Sequence, residues 1–133
     1  MYDKVTMADN LYTVSELKSM PLVDEIQWER LKKELPVQEL VVFVDEYLCE
    51  LSQTWLMPES KPLQLEADDL RSLAHRFAGT AGTMGLKKIR YFFLCLEYAP
   101  TLQEAQQLHD QLDQIVQESK VWLQSIVSSS SLN

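Results

Sequence analysis

The chain has 133 residues, 46% hydrophobic and 24% charged, with twenty acidic against twelve basic residues and a net charge of −8. That length fits one core rather than two. The acidic balance argues against a nucleic-acid surface, which needs clustered Lys and Arg, and no apolar run approaches the roughly eighteen residues of a membrane span.

Strand signals are nearly absent, and three glycines leave little hairpin chemistry, so the chain reads as all-α. Residues 1–20 form a polar N-terminal arm. Leu22, Ile26, Trp28, Leu31 and Leu35 then mark a short helix that ends at Pro36. A second helix carries Val37, Leu40, Val41, Val44, Leu48, Leu51 and Trp55 on one stripe up to about Met57, and Pro58 and Pro62 bracket the connection that follows. The third begins near Glu66 to Asp69, whose acids complement the helix dipole, and stops at Gly85. A fourth turns Leu86, Ile89, Phe92, Phe93 and Leu96 inward and ends before Pro100. The fifth is read as one long helix from Leu102 to Ile126, with Thr101 and Glu104 as a capping box. Four long amphipathic helices with short links predict an antiparallel four-helix bundle over residues 21–127, with the short N-terminal helix as a lid over one end. Residues 128–133 read as a disordered tail.

All three glycines, Gly79, Gly82 and Gly85, fall just after His75, in His75-Arg-Phe-Ala-Gly-Thr-Ala-Gly-Thr-Met-Gly-Leu86. A helix interior is the costliest place for glycine, roughly 1 kcal/mol against alanine, so the placement points to a requirement other than stability. At roughly 100° per residue, Leu70, Leu73, Ala74, Phe77, Ala81 and Met84 form the core stripe, and His75 lies nearly opposite Phe77. Arg71, Ala78, Gly79 and Gly82 are read on the same outward face, so the imidazole stands over a strip of bare backbone. Gly85 reads as the C-terminal cap.

Charge distribution marks the same place. From Leu70 to Leu96 there is no Asp or Glu, while Arg71, Arg76, Lys87, Lys88 and Arg90 supply five of the twelve basic residues. A positive zone there favours an anion or an acidic partner site. Cys49 and Cys95 lack metal-ligand spacing and read as reduced thiols inside helices. His109 flanks a core stripe without small neighbours and reads as structural. A metal site is not expected, since carboxylates are missing around His75.

The His75-to-Leu86 stretch, with Cys95-Leu96-Glu97 beyond it, resembles the signature of histidine-containing phosphotransfer domains: a histidine, an apolar residue two on, a glycine four on, another ten on, and a later Cys…Leu-Glu. The resemblance implies a four-helix bundle that receives a phosphoryl group from the aspartate of one receiver domain and passes it to the aspartate of another. His75 would then be the phosphoacceptor through Nε2. Gly79 would admit the partner, Gly85 matches the second glycine, and Gly82 widens the strip. The family usually carries Lys three after the histidine, where this chain has Ala78, and Arg71 or Arg76 is the candidate substitute.

An ordinary imidazole pKa of about 6.5 leaves much of the base neutral and nucleophilic at cell pH. The resemblance assigns magnesium and the acidic pocket to the receiver, so no cofactor is expected here. No phosphate loop or kinase signature occurs, which predicts a carrier without ATPase activity. Receivers of a hybrid sensor kinase and of a response regulator are the implied partners of a monomer. The N-terminus has no basic region followed by an apolar one, so the expectation is a cytoplasmic protein, and Met1 with the polar ends favours a free-standing one. Two other classes stand beside this reading: a non-phosphorylated adaptor on the same scaffold, which Ala78 supports, and a helical-bundle enzyme or metal protein, against which the lack of paired inward carboxylates counts.

Overall fold

The computed structural model describes residues 12–57, 62–99 and 101–131. Helices α1 (Val14–Ser19), α2 (Glu25–Glu34), α3 (Val37–Trp55), α4 (Ala67–Thr83), α5 (Lys87–Glu97), α6 (Leu102–His109) and α7 (Leu112–Ser131) follow in order, with a single 3₁₀ turn at Pro62–Gln64. No strand occurs among the described residues. The four long helices α3, α4, α5 and α7 make the antiparallel bundle that the apolar stripes predict, with α4 packed more extensively on α5 than any other pair of helices. Pro58 and Pro100 lie outside the described residues, as do residues 1–11 of the arm and 132–133 of the tail.

The helix boundaries follow local chemistry. Thr13, Asp24 and Thr101 each accept a backbone N–H three residues on, capping α1, α2 and α6. Pro36 ends α2 and opens α3, where its missing N–H costs nothing. The core is aromatic at its centre. Trp55, Phe92 and Phe93 are at most 1% exposed, and Trp55, Phe77 and Phe93 meet with ring centroids 5.1 to 5.8 Å apart.

Three expectations change. The arm read as polar contains α1, whose Leu17 is fully buried, and Tyr12 ahead of it stacks on Tyr98 and meets the edge of Tyr91. The long last helix is two: the chain breaks at Asp110 and Gln111, where Gln111 donates back to the Leu108 carbonyl over three residues. Leu108 and Leu112 stay on one stripe across the break, so periodicity does not reveal it. At the break His109 Nε2 lies 2.6 Å from the Trp55 carbonyl, so its N–H satisfies one of the orphan acceptors at the end of α3. The residues read as a tail from Ser128 continue α7 as far as Ser131. Ile26, one of the residues that mark α2 in the sequence, is 74% exposed.

Helix α2, the short helix expected as a lid, caps one end of the bundle. Asp24 N–H donates to the Gly85 carbonyl at 2.8 Å, Lys88 N–H to the Leu22 carbonyl at 3.3 Å, and the Gln27 amide to the Thr83 carbonyl at 2.9 Å. Trp28 meets the edge of Trp122 with centroids 5.0 Å apart. No helix among the described residues is long and apolar enough to cross a membrane.

Candidate functional site

The α4–α5 hairpin builds the site. At the end of α4 the Leu86 N–H donates to the Ala81 carbonyl and the Gly85 N–H to the Gly82 carbonyl, with Gly85 at φ +76°. This is a Schellman cap, in which a left-handed residue turns the chain out of the helix; only glycine adopts that φ cheaply. The turn sends α5 back along α4. Positions equidistant from Leu86 face each other, so His75, eleven residues before, meets Glu97, eleven after.

His75 is open over 73% of its side chain. Its Nδ1 lies 3.1 and 3.2 Å from the two carboxylate oxygens of Glu97, whose side chain is only 13% exposed. An ionised carboxylate accepts but cannot donate, so the proton belongs on Nδ1 and the lone pair on Nε2. Gly79, one turn on, has open space where a Cβ would stand. Beside the pair lies a cleft of about 270 Å³ whose lining includes Leu65, Leu70, Arg71, Leu96, Glu97 and Leu102.

In the sequence Glu97 belongs to the motif without a role of its own, and the acid-free stretch ends at Leu96, one residue short of it. Folding the two helices about the Gly85 turn was the signal that would have found it. The surroundings of His75 are therefore not free of carboxylates.

Two further residues of the strip are placed differently from the expectation. Ala78, read outward, is 3% exposed; the buried stripe of α4 comprises Ala74, Phe77, Ala78 and Ala81, one position wider because α5 packs so closely. Gly82 is not bare, because an ideal Cβ there would lie 2.9 Å from Arg90 Cδ and 3.2 Å from its Nε. Arg90 drapes over the glycine, four residues before Leu86 facing four after.

The basic zone is dispersed. Arg71 pairs with Asp68 at 3.3 Å, Lys88 pairs with Glu118 at 3.7 Å, and the Arg76 guanidinium sits 5.3 Å from the Phe77 ring centroid. Across α4, the Tyr47 hydroxyl donates to the Phe77 carbonyl at 2.7 Å, fixing α3 against the helix two residues from His75. Both cysteines are free, Cys49 exposed and Cys95 buried; burial, with Glu16 adding a smaller push, raises the Cys95 thiol to about 12. Among the described residues no group of three His, Cys, Asp or Glu stands together as metal ligands.

A family model described as "Hpt domain" matches residues 37–122. No curated protein and no solved structure matches the chain. The matched span runs from the start of α3 to Trp122 in α7, so it takes in the α4–α5 hairpin, His75, Glu97 and the glycines together. Domains of this kind carry phosphoryl groups in phosphorelay signalling and interact with receiver domains. A match over well more than half the chain, on a helical bundle that holds one histidine out to solvent, makes this chain a member of the histidine-containing phosphotransfer (Hpt) family.

Proposed function

We propose that His75 is the phosphoacceptor of a phosphorelay intermediate, charged by the phosphoaspartate of one receiver domain and discharged to the aspartate of another. The observation that carries this reading is an imidazole exposed over 73% of its side chain whose Nδ1 is held by Glu97, one turn before a glycine with open space at its Cβ position.

In the forward step the Nε2 lone pair attacks phosphorus in line. The N–P bond forms, the acyl phosphate P–O bond breaks, and the bonding pair leaves with the receiver's carboxylate. The ring, already protonated at Nδ1, becomes a cation as Nε2 bonds to phosphorus. The Glu97 carboxylate lies where that charge develops and stabilises it without reorganisation. Discharge to a second aspartate reverses each change. Position and exposure are what this chain contributes; magnesium, required by the chemistry of the aspartyl phosphate, belongs to the receiver. The chain needs no ATPase activity of its own, and the expected setting is a monomer in the cytoplasm.

Arg71, at the rim of the adjoining cleft, and Arg76 flank the imidazole on α4 and would add positive potential for an anionic partner. The buried Ala78 leaves no cation three residues after His75, the feature that favours a second reading, an adaptor that binds receivers without being phosphorylated.

Incubation with receiver domains charged by acetyl phosphate, followed by intact mass, separates the two. The expected result is a single added phosphoryl group, acid-labile and alkali-stable, absent in His75→Gln. Binding without mass gain, or gain that survives in His75→Gln, would overturn the assignment.

A further inference from the structure

Two rungs join α4 to α5 on the exposed side of the hairpin. His75 faces Glu97, and Gly82 faces Arg90; the two α4 members are seven residues apart, as are the two on α5. Seven residues are close to two helical turns, so both rungs lie on one face, about 10 Å apart. Between them Gly79 is open and Ala78 is buried. The face thus runs from imidazole through bare backbone to a cationic side chain supplied by the neighbouring helix.

Gly82 and Arg90 fit each other. Any β-carbon at residue 82 would stand 2.9 Å from Arg90 Cδ, too close for both to stay. The glycine therefore does more than thin the strip, because it seats the arginine. Of the five cations in the basic zone, Arg71 and Lys88 each have a carboxylate partner, and Arg76 rests on Phe77. Lys87 and Arg90 have no carboxylate at ion-pair distance among the described residues, and only Arg90 is laid against α4. An exposed guanidinium without an internal partner, in a chain of net charge −8, is suited to a carboxylate-bearing surface.

We propose that Arg90, seated on Gly82, is the docking cation of this domain, engaging acidic side chains around the phosphoaspartate pocket of a receiver as it closes over His75. This rests on the phosphorelay reading above. Arg90 is a positioning and specificity residue: it sets how tightly and in what orientation the receiver docks, and it leaves the lifetime of the isolated phosphohistidine unchanged.

The test is phosphoryl transfer from an acetyl-phosphate-charged receiver domain, measured against receiver concentration and salt for wild type, Arg90→Gln, Arg90→Glu, Gly82→Ala and the Gly82→Ala/Arg90→Gln double variant, each checked for native melting. Arg90→Glu is expected to raise the half-saturating receiver concentration about tenfold at low salt, with the saturating rate retained and the difference shrinking as salt rises. Gly82→Ala should raise it too, and should add nothing in the Arg90→Gln background, because both changes unseat one side chain. Wild-type half-saturation in Arg90→Glu, or a Gly82→Ala effect that persists undiminished without Arg90, would overturn the inference while leaving His75 as the acceptor. A wild-type chain that takes no phosphoryl group overturns both readings.

Discussion

Glu97 is nearly covered while the histidine it holds is not: 13% against 73% side-chain exposure, across twenty-two residues of sequence. A fixed, shielded carboxylate orients the ring and leaves open the far edge, the one that reacts in the proposed relay. Replacing it with Ala should slow transfer by about tenfold or more, roughly 1.4 kcal/mol in the transition state. Glu97→Gln keeps an acceptor oxygen but loses the charge, and should fall between. Nitrogen NMR of His75 checks the cause, since the Nδ1–H tautomer should lose population in Glu97→Ala and keep most of it in Glu97→Gln. Unchanged transfer in Glu97→Ala would remove the carboxylate from the mechanism.

The two interior glycines of α4 should respond differently to alanine. At Gly79 the added methyl meets nothing within 4 Å, so Gly79→Ala should stabilise by up to about 1 kcal/mol in urea unfolding. At Gly82 the methyl must displace Arg90, so the gain should be smaller. Gly79→Gln should keep most of the stability gain and lose transfer by about tenfold, because a polar arm then stands beside the imidazole. A Gly79→Gln protein that transfers at the wild-type rate would mean that Gly79 is not there for access.

Gly85 behaves as the opposite case. Its φ of +76° places any L residue in a strained conformation although the neighbours are at ordinary contact distance, 3.5 Å or more. Gly85→Ala should therefore destabilise by about 1–2 kcal/mol, with Gly85→Asn milder. The same denaturation series reads all three glycines, and equal signs at Gly79 and Gly85 would contradict the assigned backbone conformations.

Alkaline pH should expose the buried acids. Burial raises the Cys95 thiol from 9.0 to about 12, and burial first and Glu50 second raise the Tyr47 phenol above its ordinary 10.0. A raised folded value means that the neutral form is the one the fold accommodates. The Cys95 contribution is fully present below pH 9 and is lost as pH rises through about 12. The denaturation midpoint should decline over that window, and less steeply in Cys95→Ala. Tyr47→Phe should also flatten the decline, at a cost of about 1 kcal/mol at neutral pH for the lost bond to the Phe77 carbonyl. Thiol reagents should modify Cys49 alone in the native state.

What was legible in the sequence was local. The stripe of Leu70, Ala74, Phe77 and Ala81 gave α4 and the outward His75, the positive-φ cap was readable from Gly85, and Thr101 announced the start of α6. What was not legible depends on a second helix. Ala78 is buried because α5 lies against it, which a single helical wheel cannot show. Glu97 and Arg90 reach the site only through the antiparallel register, and the break after His109 has neither Gly nor Pro to mark it. Leu17 was hidden in a polar stretch because one buried side chain makes no periodic pattern.

The segment ahead of the family-matched span has a consequence for where this protein can be divided. The match begins at Val37, yet Leu17, Val23 and Trp28 already belong to the core. Tyr12 grips Tyr91 on α5 and Tyr98 at its C-cap, next to Glu97. The stretch that identifies the chain is thus shorter than the stretch that folds as a unit. Limited proteolysis should leave a resistant fragment that begins ahead of Leu17, and a chain trimmed to Val37 should bare the indole of Trp122, bind a hydrophobic dye and hold its reactive hairpin less firmly.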